Sequence, residues 1–287
     1  MSSSNVGPTA RGTSIHDALD GAVTAIAAAG CETPRLDAEV LLAHALGVSR
    51  ERLFIDRDLI VAGQAVRTFQ DFVRRRSVQR EPVAYITGKR HFRHLELMVD
   101  PRALIPRPET ELLVEVALEL STGSRVLDVG TGSGAVALAL KDERPDLRVT
   151  GSDLSAEALE LAQANGARLG LDVDWLRADL LDGPSEDHDV VLSNPPYIAD
   201  GDRATLAPEI LRHEPAGALF GGSDGLQVIR RLIQQASERQ SVRTLALEIG
   251  AGQVSAAGKL MQAAGFTEVG VERDLAGIER VVVGKRS

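Results

Sequence analysis

A nine-residue stretch decides the fold class of this chain, and it reads Val126-Leu127-Asp128-Val129-Gly130-Thr131-Gly132-Ser133-Gly134. The apolar run is typical of a buried strand, and the glycine-rich turn after it leads into a helical segment. Glycine adopts positive φ and lets a ligand approach the backbone closely, and the free amides at a helix start are expected to face that ligand. The stretch therefore predicts a strand, a cofactor loop and a helix.

Strand-type apolar runs alternate with helical segments from this loop to the end of the chain. The runs cover residues 125–129, 147–152, 173–176, 189–193, 243–249, 267–271 and 279–283. This alternation predicts an α/β fold with a doubly wound, mostly parallel sheet covered by helices on both faces. The connection between the last two runs is too short for a parallel crossover, so the last strand is expected to be antiparallel. Such a sheet resembles that of the Rossmann-like class I methyltransferases.

The chain before the sheet divides into three segments. Residues 1–12 are rich in Ser, Gly, Thr and Pro and are expected to be a disordered tail. Residues 13–80 show apolar positions at helical spacing and predict a small N-terminal helical bundle. Residues 81–106 carry a short alternating pattern bounded by glycine and proline, which predicts a β-hairpin linker. The catalytic domain is expected to cover residues 107–287.

Composition excludes several classes of protein. The net charge of −9 argues against stable binding to bare nucleic acid phosphates. Cys31 is the only cysteine, so the chain forms no intrachain disulfide and no cysteine zinc cluster. No apolar run approaches the ~20 residues that span a bilayer, and no signal peptide is evident. We expect a cytoplasmic monomer without a bound metal and without membrane association.

Carboxylates follow the next two strand-type runs, at the edge of the sheet where the glycine loop is expected. Asp153 lies 19 residues after Gly134, where a carboxylate accepts hydrogen bonds from both hydroxyls of a ribose. Asp179 follows the third run and is expected to receive an adenine amino group, with Leu180 against the ring. These positions predict a cofactor that contains a nucleoside.

The loop by itself leaves the class of cofactor open. Gly130, Gly132 and Ala135 also satisfy the dinucleotide-binding fingerprint in its alanine variant, and a purely structural tight turn is a further alternative. Asp128 shifts the balance, because a carboxylate beside the loop repels a pyrophosphate. The same carboxylate attracts the positively charged methionine end of S-adenosylmethionine. S-adenosylmethionine is therefore the favoured cofactor.

A second motif, Ser193-Asn194-Pro195-Pro196-Tyr197, follows the fourth run at the same carboxyl edge of the sheet. The prolines fix φ and donate no hydrogen bond, so the turn presents two acceptors, the Asn194 side-chain oxygen and the Pro195 carbonyl. Two acceptors that hold both N–H bonds of a planar NH2 group raise the electron density on its nitrogen and align it with a methyl donor. Tyr197 is expected to stack on that group. The alternative is a proline-stiffened connection without chemistry.

From about residue 34 to residue 280 the chain resembles the HemK-type (PrmC-type) protein-(glutamine) methyltransferases, which modify peptide chain release factors. The resemblance rests on the glycine loop, on residues 193–198 and on further motifs along the chain. These read PRLDAE at 34–39, EPVAYITG at 81–88, IPRPETE at 105–111, EP at 214–215, GGSDGL at 221–226, EIG at 248–250 and DLAG at 274–277. Departures from the family pattern, FRHL at 92–95 and His188, lie outside both catalytic motifs.

The resemblance implies a helical domain that engages a class 1 release factor, and a domain that methylates the side-chain amide nitrogen of the glutamine in its Gly-Gly-Gln motif with S-adenosylmethionine. The implied cofactor residues are Gly130, Thr131, Gly132, Ser133, Gly134, Asp153, Asp179, Leu180 and Asn194. The implied catalytic and substrate-binding residues are Asn194, Pro195, Pro196 and Tyr197, with Arg107 and Glu109 at the entrance.

Two other functions remain open at this point. An amino methyltransferase of adenine in DNA or RNA uses the same kind of motif, but it needs a basic channel for its substrate, which the net acidity disfavours. A cofactor-binding module without catalysis is disfavoured by the intact Asn194. The arginine run at 74–76 is expected to be a solvated helix face or a partner contact. His91 and His94 are expected to be structural, because no third metal ligand is evident.

Overall fold

The computed structural model describes residues 12–183 and 187–286. Most of the expected N-terminal tail, residues 1–11, therefore lies outside the described residues. The chain divides into two compact units. A helical unit comprises Met1–Gly88 together with Pro208–His213, and a catalytic unit comprises Lys89–Ala207 together with Glu214–Ser287.

In the described part of the chain, the helical unit contains five helices and two very short strands that precede the sheet, together with a later helix, Pro208–His213. Its elements are β1 (Thr13–Ser14), α1 (Ile15–Ala28), α2 (Pro34–Leu46), α3 (Arg50–Ile55), β2 (Ile60–Val61), α4 (Gln64–Ser77) and α5 (Val83–Thr87). The Ser14 hydroxyl caps α1 by accepting the Asp17 amide at 3.0 Å. Leu19, Ile26 and Leu41 are buried in a common core with Phe69. This packing is the bundle that the helical spacing predicts.

The remaining elements follow in chain order, and all but α9 belong to the catalytic unit. They are β3 (Lys89–Phe92), β4 (Leu95–Met98), α6 (Glu111–Leu118), β5 (Arg125–Val129), α7 (Ala135–Glu143), β6 (Arg148–Asp153), α8 (Ala156–Leu169), β7 (Asp174–Arg177), β8 (Val190–Ser193), α9 (Pro208–His213, which belongs to the helical unit), α10 (Gln227–Glu238), β9 (Thr244–Glu248), α11 (Val254–Ala263), β10 (Glu268–Arg273) and β11 (Glu279–Lys285). A 3-10 turn at Pro108–Thr110 leads into α6. β3 and β4 form a hairpin within the segment predicted as one.

Seven strands form one sheet in the order β10-β11-β9-β8-β5-β6-β7. The five strands β9-β8-β5-β6-β7 pair in parallel with one another, whereas β11 runs antiparallel to both β9 and β10. The predicted α/β class and the reversed last strand are confirmed. The physical reason is the short turn before β11, which leaves no room for a crossover helix.

The sheet is covered on both faces because its central strands are apolar on both sides. Val126 and Val190 pack into one core with residues of α6 and α7. Leu127, Val191 and Leu245 face the opposite side and pack with α10 and α11. A sheet buried on both faces reads as continuous apolar runs, as observed in β5 and β8.

The arginine run at 74–76 is engaged by carboxylates of the helical unit. Arg76 is buried and lies 2.7 Å from Asp37 and 3.3 Å from Glu209 of α9. Arg75 forms a two-bond pair with Glu81 at 2.6 and 2.7 Å. At least these two arginines therefore stabilise the unit itself.

No helix of the described residues is long and apolar enough to cross a membrane. Within the same residues, no group of His, Cys, Asp and Glu side chains has the arrangement of a metal site.

Candidate active site

The carboxyl ends of three neighbouring parallel strands bring the predicted motifs together. Val129 at the end of β5 is in register with Ser152 of β6 on one side and Ser193 of β8 on the other. The glycine loop, Asp153 and Asn194 therefore follow directly from one edge of the sheet. This edge is where ligands of open α/β sheets bind.

A cavity of about 490 Å³ lies at this edge, within the catalytic unit. Its lining includes most of the residues predicted to hold cofactor or substrate, namely Gly130, Thr131, Gly132, Ser133, Asp153, Asp179, Leu180, Asn194, Pro195 and Pro196. The volume is that of a small-molecule site.

The amides of the glycine loop are engaged by the protein, contrary to the expectation that free amides face a ligand. The Gly130 and Thr131 amides both donate to the Ser152 carbonyl at 2.8 Å. The Gly132 amide donates to Asp153 Oδ2 at 2.9 Å. The loop thus keeps its shape through internal bonds and does not direct these amides at a phosphate, which disfavours the dinucleotide alternative.

Asp128 is buried beneath the loop, with 2% of its surface exposed. One carboxyl oxygen, Oδ2, accepts both the Thr131 hydroxyl at 2.6 Å and the Ala137 amide at 3.3 Å. Burial raises the pKa of Asp128 to about 7, although both hydrogen bonds act in the opposite direction. The groups that shift the pKa of Asp128 include no cationic side chain. The ionised carboxylate therefore has no positively charged partner among them.

Asp153 and Asp179 occupy different environments. Each Asp153 oxygen accepts one backbone amide, from Gly132 and from Ser155 at 2.9 Å, and burial raises its pKa. Asp179 is about half exposed and forms an ion pair with Arg231 at 2.9 Å. Asp153 is thus fixed in the loop, whereas Asp179 is more exposed and is paired with Arg231.

Asn194 is held by a chain of buried polar groups that the sequence reasoning did not assign to the site. Its Nδ2 donates to Thr110 Oγ1 at 3.2 Å, and the Thr110 hydroxyl donates to Glu248 Oε2 at 2.6 Å. The Tyr197 hydroxyl donates to the other carboxyl oxygen, Oε1, at 3.3 Å. Burial raises the pKa of Glu248 to about 7 and also raises the pKa of Tyr197. The motif is therefore anchored at both its ends.

The loop at residues 221–226 supports the backbone of the same motif. A Cβ on Gly221 would lie 2.4 Å from the Pro196 carbonyl oxygen, and one on Gly225 would lie 2.2 Å from that of Tyr197. Gln253 donates from Nε2 to the Tyr197 carbonyl at 3.0 Å. Only glycine permits this approach of two backbone segments, which explains the glycines of GGSDGL.

Four of the predicted site residues do not line the cavity. Gly134 packs against Trp175, which a Cβ at that glycine would approach to 3.0 Å. The Tyr197 ring packs beside the apolar core of α10 and α11. Arg107 pairs with the buried Glu214 at 2.5 Å, and Glu109 lies 3.9 Å from Arg280.

Thr110, Glu248 and Gln253 are the functional candidates that the sequence reasoning missed. Glu248 carried a usable signal, since it ends an otherwise apolar buried strand at the carboxyl edge, as Asp153 does. Thr110 lies in the IPRPETE motif at 105–111, 84 residues before Asn194, and nothing in that motif predicts its contact with Asn194. Its role depends on a long-range contact.

Models of two protein families match this chain. The PrmC N-terminal domain matches residues 17–88, and the methyltransferase small domain matches residues 108–235. A release factor glutamine methyltransferase of Deinococcus radiodurans is 39% identical over 277 residues, which cover 95% of this chain and 99% of that protein. Another, from Burkholderia pseudomallei, is 44% identical and covers 87% of this chain and 91% of its own length.

The chain belongs to the release factor glutamine methyltransferase family. It is accordingly an enzyme of the methyltransferase class.

The family fold extends to more distant proteins of known structure. The hMettl16 catalytic domain, solved with the MAT2A 3'UTR hairpin 6, aligns with a TM-score of 0.57 at 14% identity over 79% of this chain and 84% of that one. A methyltransferase of Pyrococcus furiosus aligns with a TM-score of 0.52 at 18% identity, over 67% of this chain and 88% of that one. At these identities the likeness shows the fold alone.

The carboxyl groups at the cavity of this family member suit a cationic ligand that carries hydroxyl groups. Asp128 and Asp153 place carboxyl groups at the cavity, and the loop amides that would bind an anion are used internally. An anionic polyphosphate is therefore disfavoured, whereas a sulfonium compound with a ribose fits the charges.

Proposed function

We propose that this enzyme transfers a methyl group from S-adenosylmethionine to the side-chain amide nitrogen of a glutamine, the one in the Gly-Gly-Gln motif of class 1 peptide chain release factors. The observation that carries the proposal is the anchored Asn194. Its NH2 end is bonded to Thr110, so the opposite end, Oδ1, is directed away from Thr110 and remains suited to accept an N–H from substrate.

A glutamine amide needs help as a nucleophile because its lone pair is delocalised into the carbonyl group. Asn194 Oδ1 and the Pro195 carbonyl are the two acceptors proposed to hold its N–H bonds. Pro195 and Pro196 keep them rigid, because proline fixes φ. Preorganised acceptors stabilise the charge that develops on nitrogen without reorganising during the reaction.

The cofactor side of the cavity is proposed to use different groups. When bound, S-adenosylmethionine supplies an electrophilic methyl group on a positively charged sulfur. Asp153 is proposed to accept ribose hydroxyls, Asp128 to face the charged methionine end, and Leu180 to contact the base. The cavity lining supports this division, since these residues lie with the loop and Asn194 around one space.

The names of the relatives support the choice of acceptor, because release factor glutamine methyltransferases align with this chain over almost its whole length. The test is mass analysis of a purified release factor after incubation with the enzyme and S-adenosylmethionine. We expect a gain of one methyl group on the glutamine of the Gly-Gly-Gln motif. Methylation of adenine-containing DNA or RNA with no change in the release factor would contradict the proposal.

Asn194→Ala tests the mechanism. Removing one preorganised acceptor is expected to reduce single-turnover methyl transfer by about a hundredfold or more, while cofactor affinity changes far less. Calorimetry of S-adenosylmethionine binding is the control. A variant that transfers methyl at the normal rate would remove Asn194 from the chemical step, and one that fails only in cofactor binding would move it to the cofactor site.

A further inference from the structure

Thr110 occupies a position that links the proposed substrate-binding residue to a buried carboxyl group. It ends the 3-10 turn Pro108–Thr110, lines the cavity, and is 5% exposed. Its single hydroxyl contacts Asn194 Nδ2 at 3.2 Å and Glu248 Oε2 at 2.6 Å. These two bonds use the one proton of the hydroxyl and one of its two acceptor sites.

The direction of the hydrogen bonds fixes which end of the Asn194 amide faces the substrate. A threonine hydroxyl has one proton, and this one is donated to Glu248. Towards Asn194 the hydroxyl therefore acts only as an acceptor, so it selects the NH2 end of that amide. Without this selection the amide can rotate by half a turn, because an asparagine is almost the same shape in both orientations.

Glu248 determines the direction of the hydrogen bonds in this chain of polar groups. It accepts from Thr110 and from Tyr197, one on each oxygen. Burial raises its pKa, while the two hydroxyl donors favour its ionised form. Glu109 and Arg280 are the other charged groups that influence it. Above its pKa of about 7 Glu248 is a carboxylate that can only accept, which keeps the Thr110 proton directed towards it and away from Asn194.

We propose that Thr110 is a positioning residue, which holds Asn194 with its side-chain oxygen turned towards the substrate amide. This inference rests on the proposed function. Thr110 does not itself touch the substrate amide in this scheme. Loss of the Thr110 hydroxyl leaves Asn194 in place but lets its side-chain amide turn the NH2 end towards the substrate. That end repels the N–H of an incoming amide.

The test compares three variants with the wild-type enzyme on purified release factor. Thr110→Val keeps the shape and removes the hydroxyl, and Thr110→Ser keeps the hydroxyl and removes the methyl group. Thr244→Val is the matched control, since Thr244 is a buried threonine of β9 outside this network. Thr110→Ala replaces the valine variant if that variant does not fold.

We expect Thr110→Val to lower kcat by about 10- to 100-fold, the range that misorientation of a reacting group produces. Its KM for release factor and its affinity for S-adenosylmethionine are expected to change by less than about threefold, because no binding contact is removed. Thr110→Ser and Thr244→Val are expected to stay within about threefold of the wild-type kcat. Normal kcat in Thr110→Val, or an equal loss in Thr110→Ser, would overturn the inference.

A nuclear magnetic resonance measurement tests the same point without a release factor. The side-chain NH2 signal of Asn194 is identified by its absence in Asn194→Ala. It is expected to shift in Thr110→Val and to stay in place in Thr110→Ser, and an unchanged signal in both would overturn the inference. A wild-type enzyme that methylates no release factor would contradict the proposed function, whereas an active wild type with a fully active Thr110→Val contradicts only the role of Thr110.

Discussion

Asp128 carries a buried carboxyl group with both of its hydrogen-bond donors on the same oxygen. Asparagine can place its own oxygen at that position and retain both bonds, so Asp128→Asn removes the charge with little change of contacts. The variant removes both the free-energy cost of burying the ionised group and the contribution of its charge to ligand binding. Stability and ligand affinity then report the two effects separately. Such a cost at a ligand site is the kind of local strain that function imposes on a fold.

The stability of Asp128→Asn is expected to exceed that of the wild type at pH 8. Folding raises the pKa of Asp128 from its ordinary 3.8 to about 7, so between these values the folded protein holds a proton that the unfolded chain has lost. The free energy of unfolding of the wild type therefore falls as pH rises through this window, and the loss is complete above it. We expect the variant to gain about 2–4 kcal/mol at pH 8 and almost nothing near pH 4.

Chemical denaturation of both proteins at pH 4 and 8 measures this difference. S-adenosylmethionine affinity at pH 8 is expected to fall in the variant, because the negative charge near the cationic ligand is lost. A stability difference that does not change with pH would show that the Asp128 carboxyl is ionised throughout.

Asp153 is expected to contribute more to cofactor binding than Asp179. Asp153→Ala removes a partly buried acceptor and should weaken S-adenosylmethionine binding by roughly 1.5 to 3 kcal/mol. Asp179→Ala is the matched control and should have a smaller effect, since that carboxylate is half exposed and paired with Arg231. Calorimetry at one pH compares them, and equal losses of affinity would contradict the ranking.

At the level of elements, the catalytic motif depends on a glycine loop that is distant in sequence. Gly221 and Gly225 approach the carbonyls of Pro196 and Tyr197, and the backbone is paired there through the Ile198 amide and the Leu219 carbonyl at 3.0 Å. The prolines make the motif stiff, and this loop sets where the stiff segment lies. A stiff segment in the wrong place would hold no substrate.

Gly225→Ala is expected to abolish methyl transfer and to destabilise the enzyme by several kcal/mol. Its φ of 72° disfavours any side chain by roughly 1–2 kcal/mol, and the new Cβ would also meet the Tyr197 carbonyl at 2.2 Å. Gly170→Ala is the control, because Gly170 has a φ of 70° and open space around it. Melting temperature and kcat of both variants separate the two effects. Equal losses would show that backbone strain alone matters.

For the whole molecule, the helical unit is proposed to supply recognition of the release factor, since it carries no chemical motif. Exposed apolar side chains occur in the short stretch at the end of α3 and before α4, where Phe54 and Ile55 are 52% and 72% exposed. Exposed apolar groups of this size are common at protein interfaces. Deleting residues 1–88 is a poor test, because α9 would remain and its Glu209 would lose the ion pairs with Arg76 and Arg80.

The double variant Phe54→Ser with Ile55→Ser is expected to raise the KM for intact release factor by about tenfold, a change of 1.4 kcal/mol. Cofactor affinity and melting temperature should stay close to wild type, since both side chains are exposed. Val78→Ser, at a position that is 71% exposed at the end of α4, is the control. A normal KM for the double variant would place recognition elsewhere on the enzyme.

Short stretches of the sequence are enough to predict the α/β class, the reversed last strand, the two motifs and their common edge of the sheet. These follow from local rules, because strand periodicity, glycine turns and connection length are written in short stretches of chain. The positions of Asp128, Asp153 and Asn194 around one space follow from the parallel order of the strands.

The contacts that hold these groups in place depend on tertiary packing and could not be predicted from the sequence. The loop amides donate to groups of the next strand, and burial raises the pKa of Asp128. Asn194 is bonded to Thr110, which in turn is bonded to Glu248, and these residues are far apart in the chain. Burial and hydrogen-bond direction depend on every element that packs around a group, so no single stretch of sequence contains them.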